Sequence, residues 1–350
     1  MKNTVAKEII MVQYNETYKE KWDKFVLTES INGTFLQTMN FYEYHPKDRF
    51  IDNSLLFLNG TTIIAVLPAC IRERENRVLY SHPGSTFGGL IIGKKFNKIS
   101  YLDILFEKLH EYLRNNSFDK IILKQPGTIY QNSESQLLDY YLFMNGYSDS
   151  SEVGYYIDFD TYGEDIISNF TASRRRDYRY SLKNNFEFRE LQSETEINEF
   201  YNILCDNYNK FGKNPVHTID ELLDFKFSRL SNMTNFFGVY YEKKMIAGGM
   251  VFTFGQEIFH TQYLAVLQEK KDMFANEFLY VNLISTAKEK EYKMLSFGTA
   301  TLEDGKILNR PLAMYKEGFG TLEYVNKTYF KYIEKKREML EGLDGVNEEN

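Results

Sequence analysis

FFGVYYEKKMIAGGMVFTFGQEIFHTQYLAVL, residues 236–267, is the stretch on which the fold turns. Phe236–Tyr241 and Met245–Phe254 are apolar runs separated by Glu242-Lys243-Lys244, which reads as a hairpin, and Ile258–Val266 supplies a third strand. Downstream, Ala275–Lys290 places Leu279, Leu283 and Ala287 at helical spacing, and Met294–Phe297 reads as a short buried strand. Antiparallel strands, a helix, then a further strand beside them make one α/β unit.

The same order occurs upstream. Strands are expected at Leu55–Leu58, Thr62–Pro68, Arg77–Tyr80 and Gly88–Ile92. A helix follows over Tyr101–Asn115, striped by Leu102, Leu105, Leu109, Tyr112 and Leu113, and Lys120–Lys124 is a short strand. Glu134–Met144 is a helix stopped by Asn145-Gly146, and Val153–Phe159 closes the half. Helices are also expected around Tyr18–Val26, Asn198–Tyr208 and Ile219–Leu230, with a late strand at Tyr324–Tyr332. An internal duplication accounts for this order and for 350 residues better than two unrelated domains do. The expected division is a first unit over 1–160, a second over 161–333 and a charged tail over 334–350.

Composition narrows the function classes. A formal net charge of −7 opposes general nucleic-acid binding, which favours a basic surface. Cys70 and Cys205, far apart in the chain, exclude a disulfide framework and fit a reducing, cytoplasmic setting. The longest apolar run, Ile63–Cys70, is interrupted by Pro68 and too short to span a bilayer. No phosphate-binding loop, dinucleotide fingerprint or zinc-protease motif is present, the five His are scattered, and no metal site is expected.

Three stretches carry candidate chemistry. From Arg174 to Arg189 six basic residues face two acids, Asp177 and Glu187. With Thr171 or Ser173 as cap, a helix here puts Arg175, Arg179 and Lys183 on one face. Guanidinium forks in a row suit phosphate, although a solvated basic face paired with acids is an equal alternative. The long connection Gly298–Gly320 ends in Tyr315-Lys316-Glu317-Gly318-Phe319-Gly320, where Lys316 is either a cation held at a site or a surface lysine beside a turn. In the loop Gly212–His217, His217 could meet a substrate, an exposed position being the simpler reading. The bend Ser81–Gly89 looks like a pocket lining, its glycines permitting close packing.

Taken together, these motifs resemble the Fem-type peptidyltransferases and their acetyltransferase-like relatives, built from two tandem GNAT folds. Ser173, Arg176, Tyr178, Arg179, Ser181 and Lys183 match that family's basic helix, and Tyr315, Lys316 and Phe319 match its aromatic-Lys-x-x-Phe ending. Asn32–Gln37, Gly212–His217 and Ser81–Gly89 are similar too, so the likeness runs over about residues 10 to 332. It implies an α/β (α+β) fold of two GNAT-like units with mixed, largely antiparallel sheets flanked by helices. It also implies amide formation: an acyl or aminoacyl group passes from a carrier to an amine of an envelope precursor, nucleotide-linked or lipid-linked. No tightly bound cofactor is implied; the donor would be an acyl-CoA or an aminoacyl-tRNA. Gln268–Asn276 lacks the glycines with which ordinary GNAT enzymes wrap the CoA pyrophosphate, and Tyr180 and Asn185 depart from the family's basic helix. A non-catalytic binding module on the same fold is the alternative.

The chemistry assigns expected roles. A lysine-like acceptor amine is neutral in only about one molecule in 2,500 at pH 7, a cost of about 4.6 kcal/mol, so a base helps. His260, Tyr263, Glu303 and Asp304 are available for that task. Lys316 is expected to face the developing oxyanion, anchoring a donor or acceptor phosphate being its alternative. Arg175, Arg176, Arg179 and Lys183 would hold phosphates, with His217 and Tyr315 contacting substrate.

Overall fold

The computed structural model describes residues 9–46, 49–72, 75, 77–82, 85–132, 135–210 and 212–334. The charged tail beyond Glu334, Pro83 and Gly84 of the bend, and Glu134 lie outside the described residues. The first half runs β1 (Ile9–Gln13), α1 (Lys19–Lys24), α2 (Met39–Tyr42), β2 (Ile51–Asp52), β3 (Leu55–Asn59) and β4 (Thr62–Leu67). It continues with β5 (Cys70–Ile71), β6 (Val78–Tyr80), β7 (Ile91–Ile92), α3 (Ile99–Asn115), β8 (Lys120–Lys124), α4 (Leu137–Met144) and β9 (Ser148–Asp158). The second half begins α5 (Ala172–Ser181), β10 (Glu187–Glu190), α6 (Glu194–Asn209), α7 (Ile219–Asp224), β11 (Thr234–Tyr241), β12 (Lys244–Phe254) and β13 (Ile258–Val266). It ends α8 (Ala275–Glu289), β14 (Met294–Thr299), β15 (Thr301–Leu302), β16 (Ile307–Leu308), α9 (Arg310–Glu317) and β17 (Leu322–Tyr332).

Among the described residues eleven strands form one sheet in the order β10-β11-β12-β13-β14-β9-β17-β8-β6-β5-β2, and β1-β3-β4-β7 form a second. Most neighbours are antiparallel. Each half contributes one parallel pair, β6 with β8 and β13 with β14. The last strand, β17, inserts between β8 and β9 of the first half, pairing antiparallel with both. Main-chain hydrogen bonds therefore run without interruption from one half into the other.

The apolar stripes read from sequence are the faces that pack. Leu102, Leu105, Leu109 and Leu113 of α3 and Leu279, Leu283 and Ala287 of α8 are all buried. One core lies mostly in the first half with Tyr329 of β17 added, another mostly in the second half with Tyr155 and Ile157 of β9 added, and a third draws on both halves. That shared core packs Trp22, Phe25, Phe35 and Phe41 against Phe200, Phe225 and Phe252, which is where much of the aromatic content goes. Each such ring, fully buried, is worth roughly 1.5–3 kcal/mol of transfer free energy.

Three expectations change. Of Gly88–Ile92 only Ile91–Ile92 is strand, because Gly88 passes so close to Ser81 that a Cβ would lie 1.7 Å from its carbonyl oxygen. The helices expected over Tyr18–Val26 and Ile219–Leu230 begin as α1 and α7 but widen into π turns at Phe25–Glu29 and Phe225–Arg229. The connection Gly298–Gly320 is not structureless. It folds as the β15–β16 hairpin and α9, which is capped by the Asn309 side chain and has Pro311 in its first turn.

Burial of neutral imidazoles makes the fold acid-sensitive. Burial is the main cause that lowers His110, His217 and His260 to a pKa of about 4 each. Between pH 6.5 and 4 the unfolded chain binds protons that the folded chain does not, so stability falls as pH drops. Each of the three contributes at most about 1.4 kcal/mol per pH unit. Urea unfolding at pH 7, 6 and 5 is expected to show a steadily falling midpoint; a constant midpoint would contradict the burial of these rings.

Candidate functional site

β13 and β14 are paired only over Ile258–His260 and Met294–Ser296. Beyond that point they separate. β14 bulges against β9 between Ser296 and Gly298, and Gly298 adopts a left-handed φ of 68°, a conformation suited to glycine. The separated ends, Thr261–Leu264 and Phe297–Thr299, form two walls of a cleft of about 450 Å³. Its other walls come from the first half and from the chain's end, through Thr86, Phe87, Tyr130 and Asn326.

Lys316 projects from the last turn of α9 into this cleft wall and is 4% exposed. Its Nζ donates to the carbonyls of Phe297 (2.7 Å), Gly298 (3.1 Å) and Thr299 (2.7 Å). Burial brings its pKa down to about 7, while three carbonyl acceptors favour the protonated form. The result is an amino group that titrates near neutrality, pinned at the bulge where the strands part.

His260 sits at the last paired position of β13 and is buried. Its Nδ1 lies 2.9 Å from the Tyr130 hydroxyl and 3.0 Å from Ser296 Oγ. Tyr130 also reaches Ser296 Oγ at 2.8 Å and the Tyr324 hydroxyl at 3.2 Å. Burial first, and then the Lys316 charge, keeps the imidazole neutral at pH 7. The Tyr130–His260–Ser296–Tyr324 cluster joins both halves behind the cleft.

Tyr263 lines the same cleft, and its hydroxyl lies 2.7 Å from His217 Nδ1. Burial raises the phenol's pKa. His217 is not the exposed loop residue that the simpler reading favoured: it is 7% exposed, with Nε2 3.3 Å from the Tyr44 hydroxyl. Shared aromatic contacts with Phe225 hold it there.

The structure thus brings Lys316, His260 and Tyr263 together, with His217 behind Tyr263. The other candidates lie elsewhere. Arg175 donates to the Phe170 carbonyl (2.7 Å), Arg176 bonds Asp177, and Arg179 donates to the Arg175 carbonyl, none of them in the cleft lining. Lys183 lies 4.6 Å over the Tyr180 ring, which stacks on Phe274 just before α8. Tyr315 points away from the cleft, bonding Asn276 (2.7 Å) beneath the Arg174 guanidinium. Glu303 and Asp304 form the exposed turn between β15 and β16.

The loop before α8 has its own form. Gln268–Met273 is a 3₁₀ helix, and Phe274 takes a left-handed φ of 57° at the position that starts α8. No side chain caps that start.

No protein-family model and no curated protein sequence matches the chain. Solved structures do. The crystal structure of FemX superposes with a TM-score of 0.65 at 10% identity, covering 91% of this chain and 96% of that one. A tandem GNAT protein from the clavulanic acid biosynthesis pathway gives 0.57 at 9% identity over 93% and 99% of the two chains. The L-PGS structure from Bacillus licheniformis gives 0.53 at 14% identity over 81% and 84%. Over nearly its whole described length, this chain has the tandem GNAT fold of the Fem-type structures.

Proposed function

We propose that the chain is an N-acyltransferase or aminoacyltransferase that forms an amide on an amine of an envelope precursor. The observation that carries this reading is the opening between β13 and β14 with an ammonium fixed at its apex. Past His260, β13 pairs with β12 on one side while its other edge faces the cleft. An extended acyl carrier can lie along that free edge as an added strand. The acceptor nitrogen then attacks the acyl carbonyl, a C–N bond forms, and the carrier's C–S or C–O bond breaks. The proton lost by the amine ends on the departing sulfur or oxygen. Lys316 stabilises the charge that develops on the carbonyl oxygen in between. His260, neutral and engaged at Nδ1, holds Tyr130 and Ser296 in place behind the reacting groups.

Phosphates of the donor, whether CoA or the tRNA end, fit outside the cleft. The uncapped start of α8 presents unsatisfied N–H groups and the positive end of its dipole. Tyr180 of α5 and Lys183 just past its end lie beside it, and Asn184 anchors the neighbouring Met273 carbonyl at 3.2 Å. This placement supports a phosphate role for the basic helix without putting it in the chemistry. The fold shared with FemX, a tandem GNAT protein and L-PGS supports the reaction class.

A thermal-shift screen of acyl-CoAs, aminoacyl-tRNA and nucleotide-linked amino sugars identifies substrates, since a ligand of the folded state raises Tm. With a pair in hand, Arg179→Ala is expected to raise KM three- to tenfold and leave kcat unchanged, the pattern of lost uniform binding. Ligand binding without any turnover would favour the non-catalytic module instead.

A further inference from the structure

A second cavity, of about 660 Å³, opens on the first half beside α1 and α2, apart from the β13–β14 cleft. Its walls are aromatic: Tyr14, Tyr42, His45, Phe50 and His82. Tyr42 and His82 stack at 3.6 Å, His45 lies parallel to His82 at 5.3 Å, and Phe50 meets both imidazoles edge-on. Three carboxylates, Glu16, Glu43 and Asp52, complete the lining. Arg229 is the basic residue of the lining among the described residues; its guanidinium reaches Asp224 (2.7 Å), the Asn40 carbonyl (2.7 Å) and, within the lining, Glu43 (3.6 Å), which Lys19 pairs as well. On the Tyr14 side, burial and then Glu16, Glu43, Asp23 and Asp52 hold the phenol from ionising, while on the other side burial and then His45 and Arg49 keep His82 neutral.

We propose that this cavity binds an organic cation, an alkylammonium group seated between the aromatic rings and facing the carboxylates. Ring faces attract a desolvated cation, and Glu16 and Asp52 at the wall neutralise it, Glu43 being paired with Lys19 and Arg229. Phe50 already takes one, the Arg49 guanidinium lying 5.5 Å from its centroid on the protein's own chain. A metal ion fits less well, because among the described residues no three His, Cys, Asp or Glu side chains group closely enough to hold one.

Two further features point to a ligand rather than to packing. His82 and Tyr42 are 7% and 8% exposed, and His82 Nδ1 and the Tyr42 hydroxyl are buried without a hydrogen-bond partner among the described residues. Native structures rarely leave two such atoms unpaired side by side. His82 also holds a left-handed φ of 59°, a strained conformation for a residue with a Cβ. An ammonium ligand that carries a hydroxyl or carbonyl nearby would partner both atoms.

Trp22, the protein's single tryptophan, lies 5.6 Å from Tyr14 and reports on the cavity. Its emission is titrated with tetramethylammonium chloride, against sodium chloride at matched ionic strength and against tert-butanol as the uncharged isostere. Saturation transfer to the ammonium methyls is read by NMR on the same samples. A saturable response to tetramethylammonium alone, with millimolar Kd, is expected. Phe50→Leu and Glu16→Gln, both at incompletely buried positions, are expected to weaken it at least fivefold while keeping the wild-type Tm. Equal responses to the salt or the alcohol, unchanged binding in both variants, or silence in both readouts would overturn the proposal.

Discussion

Lys316→Met is expected to lower kcat for amide transfer by about 10²–10³-fold, the loss typical of removing one oxyanion partner. Methionine retains the length and apolar bulk of the stem, so α9 can still pack beside β14. What goes is the positive charge at the parting of β13 and β14. Lys316→Arg is not expected to rescue, because a planar guanidinium cannot place three donors on the converging carbonyls of Phe297, Gly298 and Thr299. The same site has a pH signature that needs no substrate. The folded-state pKa of about 7 lies well below the usual lysine value of about 10.4. Between those values the unfolded chain binds the extra proton, so wild-type stability rises with pH by at most about 1.4 kcal/mol per unit. The methionine variant lacks that slope. Parallel denaturation series from pH 7 to 10 would show the two curves diverging as pH increases, and parallel curves would mean that the three carbonyls keep Lys316 protonated throughout this range. A kcat within threefold of wild type, about 0.7 kcal/mol of barrier, would remove Lys316 from the chemistry.

The elements whose signal is local were legible before the structure. The hairpin around Glu242-Lys243-Lys244 and the strand Ile258–Val266 stand where the sequence put them, as do the α3 and α8 stripes. Partner choice was not. The alternation in β17 says that it is a strand, and nothing in it says that its neighbours are β8 and β9. The site divides along the same line. Lys316 could be singled out by its motif, His260 by the scarcity of histidine, and Tyr263 by its place on the strand Ile258–Val266. Tyr130, Ser296 and Tyr324 could not: tyrosine is abundant here, and Tyr130 meets Tyr324 across 194 positions of sequence. In the basic helix, spacing grouped Arg175 and Arg179 on one face, but α5 ends at Ser181, short of Lys183, and the buried arginine of the stretch, Arg174, lies off that face. Arg174 has a readable signal, an acid three residues on at Asp177.

Arg174→Met is expected to destabilise the fold by about 3–5 kcal/mol, the cost of removing one partner from a buried ionic cluster. The Arg174 side chain is 16% exposed and meets Asp177 at 2.8 Å and Glu277 of α8, whose side chains are 6% and 9% exposed. Its guanidinium also covers the Tyr315 ring at 4.5 Å. Without it, two carboxylates face each other in a wet-poor corner between α5 and α8, and the Arg176 contact to Asp177 (3.1 Å), from a side chain 61% exposed, compensates weakly. The loss belongs to the orphaned charges more than to the arginine itself, which gives a sharp test. Arg174→Met combined with Glu277→Gln and Asp177→Asn is expected to recover most of the stability, because the triple variant buries neutral groups only. Urea unfolding of the wild type, the single and the triple variant separates the possibilities. A triple variant as unstable as the single one would mean that Arg174 acts by stacking on Tyr315, and the cluster's charge would then be incidental to how α5 is held against α8.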